Sequence, residues 1–151
     1  MKPACFAVLA VAAVTAWSQD PPAPAADRVG FPEGYREKLR VLRSVEKNDE
    51  VKVTYGNDAA ASAIASTSRS FPYGALLVME TRKQGAVTGL HVMRKERGFG
   101  EAYQQNRTGE WEYTEYKPDR SYITPPQKSF ACASCHVKAG ADKDFVYGVA
   151  R

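Results

Sequence analysis

The sequence predicts an α+β domain: an antiparallel sheet of about five strands with two or three short helices beside it. Three observations carry this reading. The middle of the chain alternates apolar and polar residues with a period of two, as half-buried strands do. Strand-like stretches follow one another without the helical crossovers of a parallel sheet. Helix signals are short, and no internal repeat is present. With 151 residues, 44% apolar and 25% charged, the chain has room for one ordinary globular domain.

The elements follow in order. Lys2 gives a positive start, Ala4 to Val14 is an apolar run, and Ala16-Trp17-Ser18 supplies small residues for a signal peptidase. Residues 1–18 therefore read as a secretory signal peptide, and the expected compartment is the periplasm. The run is shorter than the ~20 residues of a membrane span, so no membrane insertion is expected once the signal is removed. Cys5 leaves with it. Residues 19–30 are Pro/Ala-rich and read as a flexible leader, which places the folded domain at 31–151.

Leu39, Val41 and Val45 alternate approximately, and Val51, Val53 and Tyr55 alternate cleanly with Lys52 and Thr54. Asn57-Asp58 is an N-cap signal ahead of the helix formers from Ala59 to Ala65. Phe71-Pro72-Tyr73-Gly74 is a turn. Ala75 to Thr81 and Val87 to Lys95 are strands, and Gln84-Gly85 between them suits a hairpin. Glu110 to Tyr116 is an aromatic-rich strand stopped by Lys117-Pro118-Asp119. Its aromatic residues hint at a surface that needs covering. Thr124-Pro125-Pro126 leads into the last segment.

Charge is mild. There are 21 Lys+Arg against 17 Asp+Glu, spread along the chain, which does not suggest nucleic-acid binding. Only two His occur, His91 and His136, so a multi-His metal centre is nearly excluded.

The one strong motif is Cys132-Ala133-Ser134-Cys135-His136. Two thiols one helical turn apart can add across the vinyl groups of one haem, and the adjacent His136 can serve as proximal iron ligand. The same spacing would serve a disulfide or a thioredoxin-type pair, although that pair normally follows a strand near the start of a βαβ domain. Zinc would need two further ligands, and only His91 is available. One covalently attached haem c is the reading that accounts for His136 and for the export signal.

No Met or His follows His136, so a sixth ligand would come from upstream: Met79, Met93, His91 or a Lys. Common small electron-transfer cytochromes carry the motif near the N-terminus instead. Four-helix c-prime cytochromes would need long 3.6-period segments, which the strand-like middle lacks. His91 reads chiefly as a sheet residue that alternation places beside Met93.

Several pieces in this order resemble the cytochrome P-460 family, which includes the beta-type cytochromes c-prime. They are Phe31-Pro32-Glu33-Gly34-Tyr35-Arg36, Phe71-Pro72-Tyr73-Gly74, Val92-Met93-Arg94-Lys95, Gly109-Glu110-Trp111, the Cys-x-x-Cys-His motif and Asp144-Phe145-Val146-Tyr147. The resemblance covers Phe31 to Tyr147. It implies an antiparallel sheet over a haem, usually in a homodimer. It also implies a small gaseous or nitrogen-oxide ligand, a redox partner protein, or both.

Members named for the 460-type haem cross-link a strand Lys to the porphyrin and oxidise hydroxylamine. Here Val78-Met79-Glu80 puts Met79 at that position, and a thioether cannot make the amine link. Lys83, four residues on, is a poor substitute. Met79 can pack against the haem, ligate the iron, or stand beside an open site. The resemblance further nominates Phe71 as an aromatic cap on the ligand face, Lys52 as a cation near bound oxygen species, and Gln127 where some members place a carboxylate. Each has a plainer reading: core packing for Phe71, a solvated strand-face charge for Lys52. An amide at Gln127 hydrogen-bonds but moves no proton. The resulting expectation is a haem protein binding NO or CO for sensing, storage or scavenging. The competing readings are a hydroxylamine-oxidising or peroxidase-like enzyme, and an electron carrier with Met79 and His136 as ligands.

Overall fold

The computed structural model describes residues 27–66, 70–103, 105–124 and 129–148. Six strands form one antiparallel sheet in chain order: β1 (Arg40–Lys47), β2 (Glu50–Gly56), β3 (Leu76–Lys83), β4 (Ala86–Lys95), β5 (Trp111–Tyr116) and β6 (Tyr122–Thr124). The helices are α1 (Tyr35–Lys38), α2 (Asp58–Ala65) and α3 (Ser129–His136). This is the α+β class that the alternation implies, with one strand beyond the five expected. The extra strand, β6, has three residues, too few to display a period.

Local chemistry sets the boundaries. The Asn57 side chain caps α2 by accepting from the Ala60 amide at 3.0 Å, as its sequence position implies. The β3–β4 hairpin turns at Gln84 and Gly85, with φ of 51° and 81°. Two positive φ angles match the right-handed twist of the strands, and glycine supplies the second at no steric cost.

Register sorts the side chains onto two faces. Thr54 pairs with Met79, Met79 with His91, and His91 with Glu115. The next row on the same face is Gly56, Leu77, Met93 and Tyr113. Helices α2 and α3 cover part of this face through Ala60, Ala63 and Ala133, with Phe71, Tyr103 and Trp111 filling between. The opposite face carries Val53, Tyr55, Leu76, Val78, Leu90, Val92 and Tyr116, sealed by Phe31, Tyr35 and Leu39.

Two expectations need revision here. Packing begins before the expected Phe31: Val29 is 1% exposed, and Tyr116 Oη donates to Asp27 Oδ1 at 2.6 Å. The leader's last residues are thus built into the sheet's closed face. The aromatic strand β5 is also interior, with Trp111, Tyr113 and Tyr116 all buried between β4 and β6. It offers no surface to cover. Among the described residues, the large apolar side chains of the sheet that are exposed are Val41 and Val45, on edge strand β1. The expected signal peptide and the rest of the leader lie outside the described residues.

Candidate functional site

Helix α3 carries the Cys-x-x-Cys-His motif. Cys132 and Cys135 are three positions apart, so their side chains lie near one another along the helix. Both are free thiols; Cys132 is partly buried and Cys135 exposed. Fully buried Ala133 lets the helix approach the sheet closely. Burial, with Glu115 nearby, pushes the Cys132 thiol up to about 11. It therefore stays protonated at neutral pH, unlike the activated thiolate of a redox pair.

His136 ends the helix. Its ring lies 4.5 Å from the Tyr113 ring and 5.5 Å from that of Tyr147. Its Nδ1 is 2.8 Å from the carbonyl oxygen of Phe145. A carbonyl can only accept, so this contact places the proton on Nδ1 and the free lone pair on Nε2. Burial holds the imidazole below its ordinary pKa, against the opposing pull of the Phe145 bond. A neutral imidazole with one nitrogen fixed by a carbonyl is the form that ligates a metal.

A cavity of about 200 Å³ lies between this helix and the sheet. Cys132 and His136 line it from α3, Thr54, Leu77, Met79, His91, Met93 and Tyr113 from the sheet, and Val146 and Tyr147 from the tail. Its lining includes His91 and Tyr147, both about half-exposed, so it is open to solvent. Ligand pockets usually measure about 300–1,000 Å³, so a larger guest would occupy the open mouth as well.

The donor set suits a haem. Two thiols stand on one helix for the vinyl groups, an imidazole offers a free lone pair, and an apolar wall faces them. When bound, the group would supply an iron centre able to take a further ligand or an electron.

The residues nominated from sequence divide. Cys132, His136 and Met79 meet at the cavity, and Cys135 stands next to it on the helix. Phe71 does not line it: the ring is 2% exposed, edge-on to Trp111 at 5.5 Å, in the core behind the cavity wall. Lys52 lies on the cavity face but further along β2, where its Nζ pairs with Glu50 at 3.0 Å in solvent. Lys83 is exposed at the end of β3. Gln127 lies outside the described residues.

Two further residues belong to the cavity. His91 sits in the row beside Met79 and 3.5 Å from Glu115 Oε1, facing the cavity rather than serving only as sheet filler. Its alternation with Met93 was the available signal. Tyr113, which stacks against His136, had none beyond its place in an aromatic strand. Among the described residues, no helix is long and apolar enough to cross a membrane.

A search of curated proteins gives no match. The family model described as Cytochrome P460 matches residues 32–148, which includes every strand and α-helix among the described residues and the cavity. The chain belongs to the cytochrome P460 family and is a haem-binding protein.

Proposed function

We propose that this is an exported protein carrying one haem c, thioether-linked to Cys132 and Cys135 and ligated by His136, which binds uncharged diatomic ligands such as NO or CO. The observation that carries it is the cavity itself. A neutral His136 with its Nε2 lone pair free faces an apolar wall of Leu77, Met79 and Met93. Such a wall favours small uncharged ligands over water. Phe71 is left out of this role; the wall is built from aliphatic and thioether side chains instead. A homodimer and a redox partner protein are part of the proposal, on the family's pattern.

Two other readings have an observation each. Met79 lines the same cavity as His136, which supports an electron carrier with both as ligands. The family match supports hydroxylamine oxidation; Met79 at the cross-linking position argues against it. Absorption spectra of the reduced protein, with and without CO, separate the three. The expected result is a high-spin ferrous haem that binds CO. A low-spin Met/His spectrum that Met79→Ala abolishes would overturn it in favour of the carrier. A red-shifted ferrous Soret band, with a mass showing an extra haem cross-link, would overturn it in favour of the oxidase.

A further inference from the structure

Behind His136 lies a buried ion pair that the site does not need for contact with any ligand. Lys95, the last residue of β4, places Nζ 2.6 Å from Asp144 Oδ2, and both side chains are 9% exposed. The same carboxylate oxygen accepts from the Phe71 amide at 2.8 Å. The Asp144 carbonyl accepts from Trp111 Nε1 at 3.0 Å. Asp144 is therefore held on both its side chain and its backbone.

The backbone there is unusual. Asp144 and Phe145 have φ of 49° and 61°, two successive non-glycine residues in the left-handed region. That conformation is disfavoured for a residue with a Cβ and persists only where the surroundings over-determine it. The surroundings are the contacts just named, with Phe145 N donating to Gly140 O at 2.9 Å. The product of the strained pair is one feature of use: the Phe145 carbonyl is aimed at His136 Nδ1.

A buried ion pair is a weak source of stability, because desolvating both charges offsets their attraction. Its better-attested use is to specify one arrangement over others. We propose that Asp144, locked by Lys95, is a positioning residue for His136: it fixes the carbonyl that sets the imidazole's rotation and tautomer. The inference rests on the haem reading for its purpose, since a ligand's orientation matters only to what it ligates. The geometry reaches His136 through one peptide unit, so the effect is on the ring and not on the cavity wall.

The test uses the full chain, prepared with haem and without it. In the haem-free chain, histidine ¹⁵N shifts report the tautomer of His136. In the loaded ferrous chain, resonance Raman reports the iron–histidine stretching frequency. Asp144→Ala is expected to mix the tautomers in the first and to lower the frequency in the second, since a less firmly hydrogen-bonded imidazole is a weaker donor. Asp144→Asn tolerates the left-handed region and keeps an acceptor for the Phe71 amide. It serves if the alanine variant fails to fold, with a smaller shift in the same direction. Glu80→Ala, on the closed face, is the control: it lowers stability and leaves both His136 signals in place. Loss of stability in the Asp144 variants with unmoved His136 signals would make the pair merely structural and overturn the proposal. Should the chain take up no haem, the haem reading fails by itself, and the ¹⁵N measurement still decides this one.

Discussion

The two faces of the sheet are built to different ends. On the closed face, Val78, Leu90, Val92 and Tyr116 are all at most 2% exposed. That face even buries a carboxylate: Glu80 is 0% exposed and takes hydrogen bonds from Tyr35, Arg36 and Arg82. On the cavity face, the equivalent central row of Thr54, Met79 and His91 is left open, and His91 is half-exposed. The Glu80 carboxylate on the closed face finds its partners within the chain. The cavity face keeps the Cys132 thiol protonated and the His136 imidazole neutral, with the Nε2 lone pair unspent. The difference teaches where the protein is finished by its own side chains and where it is shaped for a guest.

The largest effect that would break this contrast is loss of the guest. Cys132→Ala combined with Cys135→Ala is expected to abolish covalent haem, read as disappearance of the haem mass increment from the denatured chain. Retention of the increment would show that the cavity-face thiols are not the anchor.

Packing sharpens it next. Leu90→Ala, on the closed face, is expected to cost about 3–4 kcal/mol, within the range for buried leucines. Leu77→Ala, beside the existing cavity, should cost about 2 kcal/mol in the haem-free chain, because fewer contacts are lost there. Urea midpoints compare the two, and equal losses would mean that the cavity face packs as tightly as the other.

Glu80 gives a pH signature confined to the closed face. Burial raises its pKa, but the hydrogen bonds from Tyr35, Arg36 and Arg82 outweigh burial and hold it below the ordinary value of 4.5. A depressed carboxylate contributes stability above its unfolded pKa and loses it as pH falls through the folded value. The wild-type chain should therefore weaken as pH drops below about 4.5. Glu80→Ala should remove Glu80's part of that acid loss. At pH 7 it should cost about 2–3 kcal/mol, somewhat under the usual 3–5 for a broken buried pair because both arginines reach water. Denaturation at pH 7 and pH 3 checks both statements.

The smallest effect belongs to Lys52. Its pair with Glu50 is solvated, so Lys52→Ala should change stability by less than about 0.5 kcal/mol and leave the haem spectrum unchanged. A spectral shift would extend the site along β2.

What the sequence made legible was local. Cys132, Cys135 and His136 fall within five residues, so their spacing narrows their joint chemistry to a few readings, haem attachment first among them. Alternation found five strands, and Asn57 announced α2. The rest depends on partners far along the chain. Lys95 reads as an ordinary strand-end cation until Asp144, 49 residues on, is seen beside it. Val29 reads as leader until the sheet closes over it. The resemblance nominates Phe71 as a ligand-face cap, and its actual place depends on where Trp111 stands. His91 had the right periodicity, but periodicity cannot say that the face it shares is the open one.

The sheet's wiring has a consequence in time. Every strand pairs with its neighbour in the chain, from β1 to β6. Contacts of short sequence separation form quickly, because little loop entropy is lost before they close. Five of the six strands end by Tyr116, thirteen residues before α3 begins at Ser129. In a chain made from its N-terminus, the residues of five strands are therefore complete before Cys132 and His136 emerge. The residues that would hold the proposed haem arrive after the strands they face.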